Sequence, residues 1–86
     1  MTNRIDPADI AKLLDFNAAT IKVWLQRAEF TKYAIKDNFF GRLKVTYKFD
    51  EVFKLNFITF LKKKGYRDKA NKFCKEVKTI IKKEEI

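Results

Sequence analysis

The stretch RLKVTYKF, residues 42–49, alternates without a break. Arg42, Lys44, Thr46 and Lys48 fall on one side, and Leu43, Val45, Tyr47 and Phe49 on the other. A period of two fits a half-buried β-strand and cannot make one stripe on a helix, whose period is about 3.6 residues. A strand needs a partner, and TKYAIK at residues 31–36 supplies one. It sets Tyr33 and Ile35 on one side and Lys32, Ala34 and Lys36 on the other, and DNFFG forms a five-residue turn between the two runs. The expected ribbon gathers Lys32, Lys36, Arg42, Lys44 and Lys48 on one face, with no acid among them. Cations crowded in this way repel one another, and a nearby phosphate backbone relieves the repulsion and releases counterions. A solvated outer face is the plainer alternative, because antiparallel sheets usually have one.

The flanking segments have helical spacing. In IDPADIAKLL, Asp6 suits an N-cap, Pro7 the first helical position and Asp9 the first turn, while Ile10, Leu13 and Leu14 make the apolar stripe. Asp15 tolerates left-handed backbone, Phe16 plugs the turn, and Asn17 caps a second helix, AATIKVWLQRAE. That helix is expected to bury Ile21, Trp24, Leu25 and Ala28. Two short helices joined by a three-residue turn predict a helix-turn-helix over residues 6–29. Its second helix offers Ala18, Ala19, Thr20, Lys22, Gln26 and Arg27 to a DNA groove, with the small alanines permitting close approach. An ordinary helical hairpin has the same outline.

After the ribbon, placed at residues 31–49, DEVFKLNFITFLKKKG predicts a third helix over 50–64, capped by Asp50 and stopped by Gly65. Its Val52, Phe53, Leu55, Phe57, Ile58, Phe60 and Leu61 cover more than one stripe, so it needs cover on two sides. The last segment predicts a C-terminal helix over 68–84, capped at Asp68, with Ala70, Phe73, Cys74, Val77, Ile80 and Ile81 at helical spacing. It either folds back on the third helix or pairs with a copy of itself. The expected fold class is mainly α with a β-hairpin wing: about four helices and a two-stranded ribbon, in a single domain over residues 1–86.

Composition narrows the function. The 86 residues suffice for one modest core, and at 47% hydrophobic they are too apolar for a disordered tail. Twenty lysines and arginines against eleven acids give a net charge of +9, which suits a polyanion partner. The excess is uneven: residues 1–30 are neutral overall, residues 31–48 carry +4 and the remainder carries +5. A ribbon that grips phosphates while a lightly charged helix reads bases fits that distribution. There is no histidine, so the commonest general base and metal ligand is missing. The single Cys74 has no activating partner and lies on an apolar stripe, where a buried packing role is expected. No paired carboxylates, metal-ligand spacing or glycine-rich phosphate loop is present, so neither catalysis nor a cofactor is expected. The start of the chain lacks the apolar core of a signal peptide, and no run approaches the roughly 20 apolar residues of a membrane span.

The order of these parts resembles a known family. IAKLLDFN, then TIKVWLQRAEF, then a ribbon, then YKFDEVFKL is similar to the winged helix-turn-helix of the MerR and phage excisionase group over roughly residues 6–61. The Thr-Ile-x-x-Trp core and the Tyr-x-Phe return recur in register. The resemblance implies binding to double-stranded DNA, with the second helix in the major groove and the wing on the adjacent backbone or minor groove. By position, Lys22 and Arg27 match basic contact residues, Thr20 matches a residue near the helix start, and Arg42 and Lys44 match the basic wing. Val23 departs from a frequent arginine, Asp15 from a turn glycine and Ala28 from a glycine that often ends the helix. An excisionase-like role implies a recombination directionality factor or small transcription regulator of a phage or mobile element. It also implies a cytoplasmic location and an integrase or host protein as partner. Separately, FLKKKGYRDKANKFCKE is similar to a LisH dimerisation motif over residues 61–76, through Leu61, Gly65, Tyr66, Ala70, Phe73 and Glu76. That likeness implies self-association through the last two helices.

Phe39 and Phe40 stand at the ribbon's turn, where three readings are open. A ring can fold back over the hairpin, anchor a protein partner, or wedge into the minor groove. If the pair and the C-terminal helices served a protein partner, the chain would be an interaction module with no role in reading DNA.

Overall fold

Capping residues set the helix starts. The structure, a computed structural model, describes residues 2–84. A first strand, β1 (Thr2–Ile5), runs into Asp6, whose carboxylate accepts from the Ala8 N–H at 2.9 Å and opens α1 (Pro7–Leu14). Asp15 ends that helix at φ 58°, the left-handed geometry expected of it. Asn17 then accepts from the Ala19 N–H at 2.9 Å to cap α2 (Ala18–Leu25).

The second helix is shorter than its sequence spacing predicts. It stops at Leu25, and after Gln26 and Arg27 a separate turn, α3 (Ala28–Thr31), begins. At about 100° per residue, a straight helix would set Phe30 roughly 140° away from Leu25 and so away from the core. Breaking the helix carries Phe30 inside, where its ring centroid lies 5.6–5.8 Å from those of Phe53, Phe57 and Phe60. Burial of one large aromatic contributes about 2–3 kcal/mol, more than a few end-of-helix hydrogen bonds.

The hairpin also differs from expectation. Its strands are β2 (Ala34–Phe39) and β3 (Arg42–Lys48), and its turn holds only Phe40 and Gly41, at φ 50° and 79°. Two consecutive left-handed residues give the backbone twist that suits a two-residue hairpin turn. The chain then enters α4 (Glu51–Lys63), capped by Asp50, whose carboxylate accepts from the Phe53 N–H at 2.8 Å. Gly65, at φ 90°, turns it into α5 (Arg67–Glu76). The cap of α5 is Tyr66, without a side-chain hydrogen bond, and Asp68 lies in the first turn instead of capping.

The expected C-terminal helix over 68–84 ends at Glu76. A 3-10 turn follows at Val77–Thr79, and β4 (Lys82–Glu84) pairs with β1. The β-branched residues Val77, Thr79, Ile80 and Ile81 explain the change, because they lose side-chain freedom in a helix and pack well on a sheet. The two-stranded ribbon is thus part of a four-stranded antiparallel sheet, ordered β2-β3-β1-β4, and the fold is mixed α/β.

Ile5, Tyr47 and Phe49 carry the sheet into a core built on Phe30, Phe53, Phe57, Phe60 and Phe73. The last helix folds back on α4 and α1: Phe57 and Phe73 have ring centroids 4.8 Å apart, and Ala70, Phe73 and Val77 are buried within the chain's own core. Cys74, expected inside, is exposed. No helix among the described residues is long and apolar enough to cross a membrane.

Candidate nucleic-acid interface

Register decides which cations share a face. A five-residue turn would set Lys36 opposite Arg42; the two-residue turn sets it opposite Val45, and Phe39 opposite Arg42. That change of parity turns every side chain of β2 to the other face. Lys36 therefore shares a face with Leu43, Val45 and Tyr47, while Arg42, Lys44 and Lys48 share theirs with Ile35, Asp37 and Phe39. Lys32 is not in the sheet: it caps the end of α3, its ammonium 5.3 Å from the Tyr33 ring centroid. The expected five-cation face does not exist, and the face with Arg42 and Lys44 does carry an acid.

That face is a mixed lattice of charge. Arg4, which lies across from Lys48 on β1, donates from Nη1 to Asp37 Oδ2 at 2.7 Å. Lys44 Nζ stands 3.6 Å from Asp6 Oδ2, and Lys82 Nζ stands 3.7 Å from Asp9 Oδ2. Lys22, Lys36, Arg42 and Lys48 have no acid within ion-pair distance among the described residues.

A groove of about 1050 Å³ runs between the hairpin, the start of α1 and the latter half of α2. It brings together Lys22 and Gln26 from α2, Lys36 from β2 and Arg42 and Lys44 from β3, with Phe39 and Phe40 at its outer end. Its floor is apolar, from Pro7, Ala34, Leu43, Val45 and Tyr47. Sequence reasoning missed these lining residues and Asp6. The alternation marked Val45 and Tyr47 as the inner face, but only the true register puts Lys36 beside them. Tyr47 sets the width, because its hydroxyl donates to the Leu25 carbonyl at 3.3 Å and ties β3 to the end of α2. Burial pushes that phenol above its ordinary value, so it stays a neutral donor.

The other expected contacts lie elsewhere. Arg27 is turned towards α4: Nε is 3.3 Å from Glu29 Oε1 and the guanidinium lies 5.3 Å from the Phe60 ring centroid. Lys22 and Arg27 thus do not present one surface. Ala18, Ala19 and Thr20 sit at the start of α2, outside the groove, with Ala19 exposed and its neighbours half-buried. Lys48 is exposed at the base of the ribbon.

The hairpin apex stands clear of the globule. Arg42, Leu43 and Lys44 are exposed, Val45 is half-buried, and only Thr46 and Tyr47 of the strand are buried. Phe40 has 106% relative exposure, and neither it nor Phe39 joins a ring pair among the described residues. The reading in which a ring folds back over the hairpin is overturned for Phe40. A non-glycine residue in the left-handed region costs about 1 kcal/mol, and here the fold gains no contact in exchange. No protein-family model, curated protein or solved structure matches this chain.

Proposed function

We propose that this chain binds double-stranded DNA as a winged helix-turn-helix. In this reading α2 lies in the major groove and the hairpin is the wing on the neighbouring backbone. The observation that carries it is the groove lined by Lys22 and Gln26 of α2, Lys36 of β2 and Arg42 of β3, the three cations having no acid partner among the described residues. A strand of phosphates laid along that groove relieves the repulsion and leaves the outer side of α2 free to meet bases. Val23, exposed on that helix, supplies an apolar surface for a thymine methyl. The likeness to the MerR and excisionase group agrees, and extends the proposal to a recombination directionality factor or small transcription regulator.

The test is a salt titration of binding to random duplex. The wild type should bind with an affinity that falls steeply with salt. Lys36→Glu/Arg42→Glu should lose at least about a hundredfold and flatten the salt slope by about two contacts. Undiminished binding by that variant would remove the groove from the interface. A second reading, a protein-interaction module with no role in reading DNA, is favoured by the exposed Phe39 and Phe40, and it predicts no duplex binding by the wild type.

A further inference from the structure

We infer that the apex of the β2–β3 hairpin is a wedge that enters the minor groove and partly unstacks a base step, with Phe40 as the inserted ring. The inference rests on the DNA-binding reading above and specifies what the wing does there.

Two features of Phe40 have no account within the fold. It is the most exposed large apolar residue described, and it occupies a φ of 50° next to Gly41 at 79°. Asparagine or aspartate before glycine fills such a turn with less strain and no apolar exposure. The chain keeps phenylalanine where the backbone disfavours it and water surrounds it. A residue costly in both respects is explained by a contact made outside the chain.

The surroundings favour a nucleic acid as that contact. Phe39 lies directly opposite Arg42, so the ring pair is flanked by a guanidinium with no acid partner among the described residues, and Lys36 stands one strand-face behind. The nearest acid on the ribbon, Asp37, is held by Arg4 at 2.7 Å. An apolar tip between cations matches a base stack between two phosphate rails. A protein partner would have to surround an aromatic pocket with acids. On β3 the exposed residues Arg42, Leu43 and Lys44 span about 10 Å at about 3.4 Å per residue, and on β2 the exposed end is Asn38 and Phe39. The β3 span is comparable to the roughly 7.5 Å depth of the minor groove, and Phe40, at its end, is the residue that leads into it. Pyrimidine–purine steps, and TpA above all, open most readily.

The test uses the whole chain and a duplex of about 30 base pairs rich in TpA steps, carrying 2-aminopurine at those steps and a donor and acceptor dye at its ends. Phe40→Asn is the variant. It creates an Asn-Gly turn, which the observed backbone favours, so it folds at least as well as the wild type, and a thermal melt checks this. Wild-type binding should raise the 2-aminopurine signal and bring the ends closer, by a bend of about 20° or more. Phe40→Asn, followed through the same titration, should bind with neither response. Binding by the wild type without unstacking or bending overturns the wedge and leaves the DNA-binding reading standing. Equal distortion by Phe40→Asn does the same. No duplex binding by the wild type overturns both. Sedimentation that shows a wild-type dimer abolished by Phe40→Asn, with the DNA undistorted, assigns the apex to a second copy of the chain and overturns the wedge.

Discussion

Tyr47 joins the two halves of the candidate site through a single hydrogen bond to the Leu25 carbonyl. Tyr47→Phe keeps the ring in the core and removes only the bond, so at neutral pH it should cost about 1 kcal/mol in urea unfolding. The cost has a pH dependence of known sign. The phenol's pKa is raised from 10.0 by burial, so the fold retains its proton where the unfolded chain has lost it. Below about pH 10 both states are neutral and the bond contributes in full; above it stability falls as pH rises towards the folded value. The gap between wild type and Tyr47→Phe should therefore shrink between pH 8 and pH 11, and an unchanged gap would mean that the phenol meets water. At this scale the sequence was informative wherever the chemistry is local. Asp6, Asn17 and Asp50 cap because a short acceptor reaches a backbone N–H two or three residues on, and Asp15 and Gly65 take left-handed backbone as their types allow. Arg27 and Cys74 differ from expectation because tertiary packing decides both: the Arg27 guanidinium lies over the Phe60 ring, and Cys74, at helical spacing beside Phe73, falls on the exposed side of α5.

Among the elements, the break between α2 and α3 does most to shape the interface. It ends α2 near Gln26, turns Arg27 towards α4 and carries Phe30 against the α4 aromatics. Phe30→Ala should cost about 3–5 kcal/mol by urea denaturation, a large share of what a domain of this size has. A cost below about 1 kcal/mol would mean that the ring is not what bends the chain. Helical periodicity ran on through residues 26–29 because these residues are ordinary helix formers, and the competing demand comes from Phe53, Phe57 and Phe60, far along the chain. The hairpin shows a similar limit. Alternation located β3 correctly, but DNFFG did not reveal how many of its residues form the turn. One step of parity moves Lys36 off the face of Arg42 and onto that of Val45 and Tyr47, along the groove that both cations line. The strands β1 and β4 span only four and three residues, too short for periodicity to register, and they are held by pairing that closes the chain end to end.

For the whole molecule, net charge and charge placement are separable causes of binding. The chain carries +9, and much of the excess lies on α4 and α5, elements that contribute no residue to the groove. If a diffuse positive field alone drew a polyanion, any three lysines would serve equally. If the groove is the contact, position decides, because charges farther away than about 8 Å are largely screened at 0.15 M salt. Two matched variants decide between these. Lys22→Glu/Lys36→Glu/Arg42→Glu reverses the convergent cations, while Lys72→Glu/Lys75→Glu/Lys78→Glu reverses three exposed lysines on α5 and the turn after it. Both lose the same formal charge. At about 1–3 kcal/mol per contact, the first should lose more than about a hundredfold in duplex affinity, and the second less than about fivefold. Fluorescence anisotropy at fixed salt reads both. Equal losses would mean that the duplex responds to the overall field of the protein, and the convergence of Lys22, Lys36 and Arg42 would then have no part in recognition.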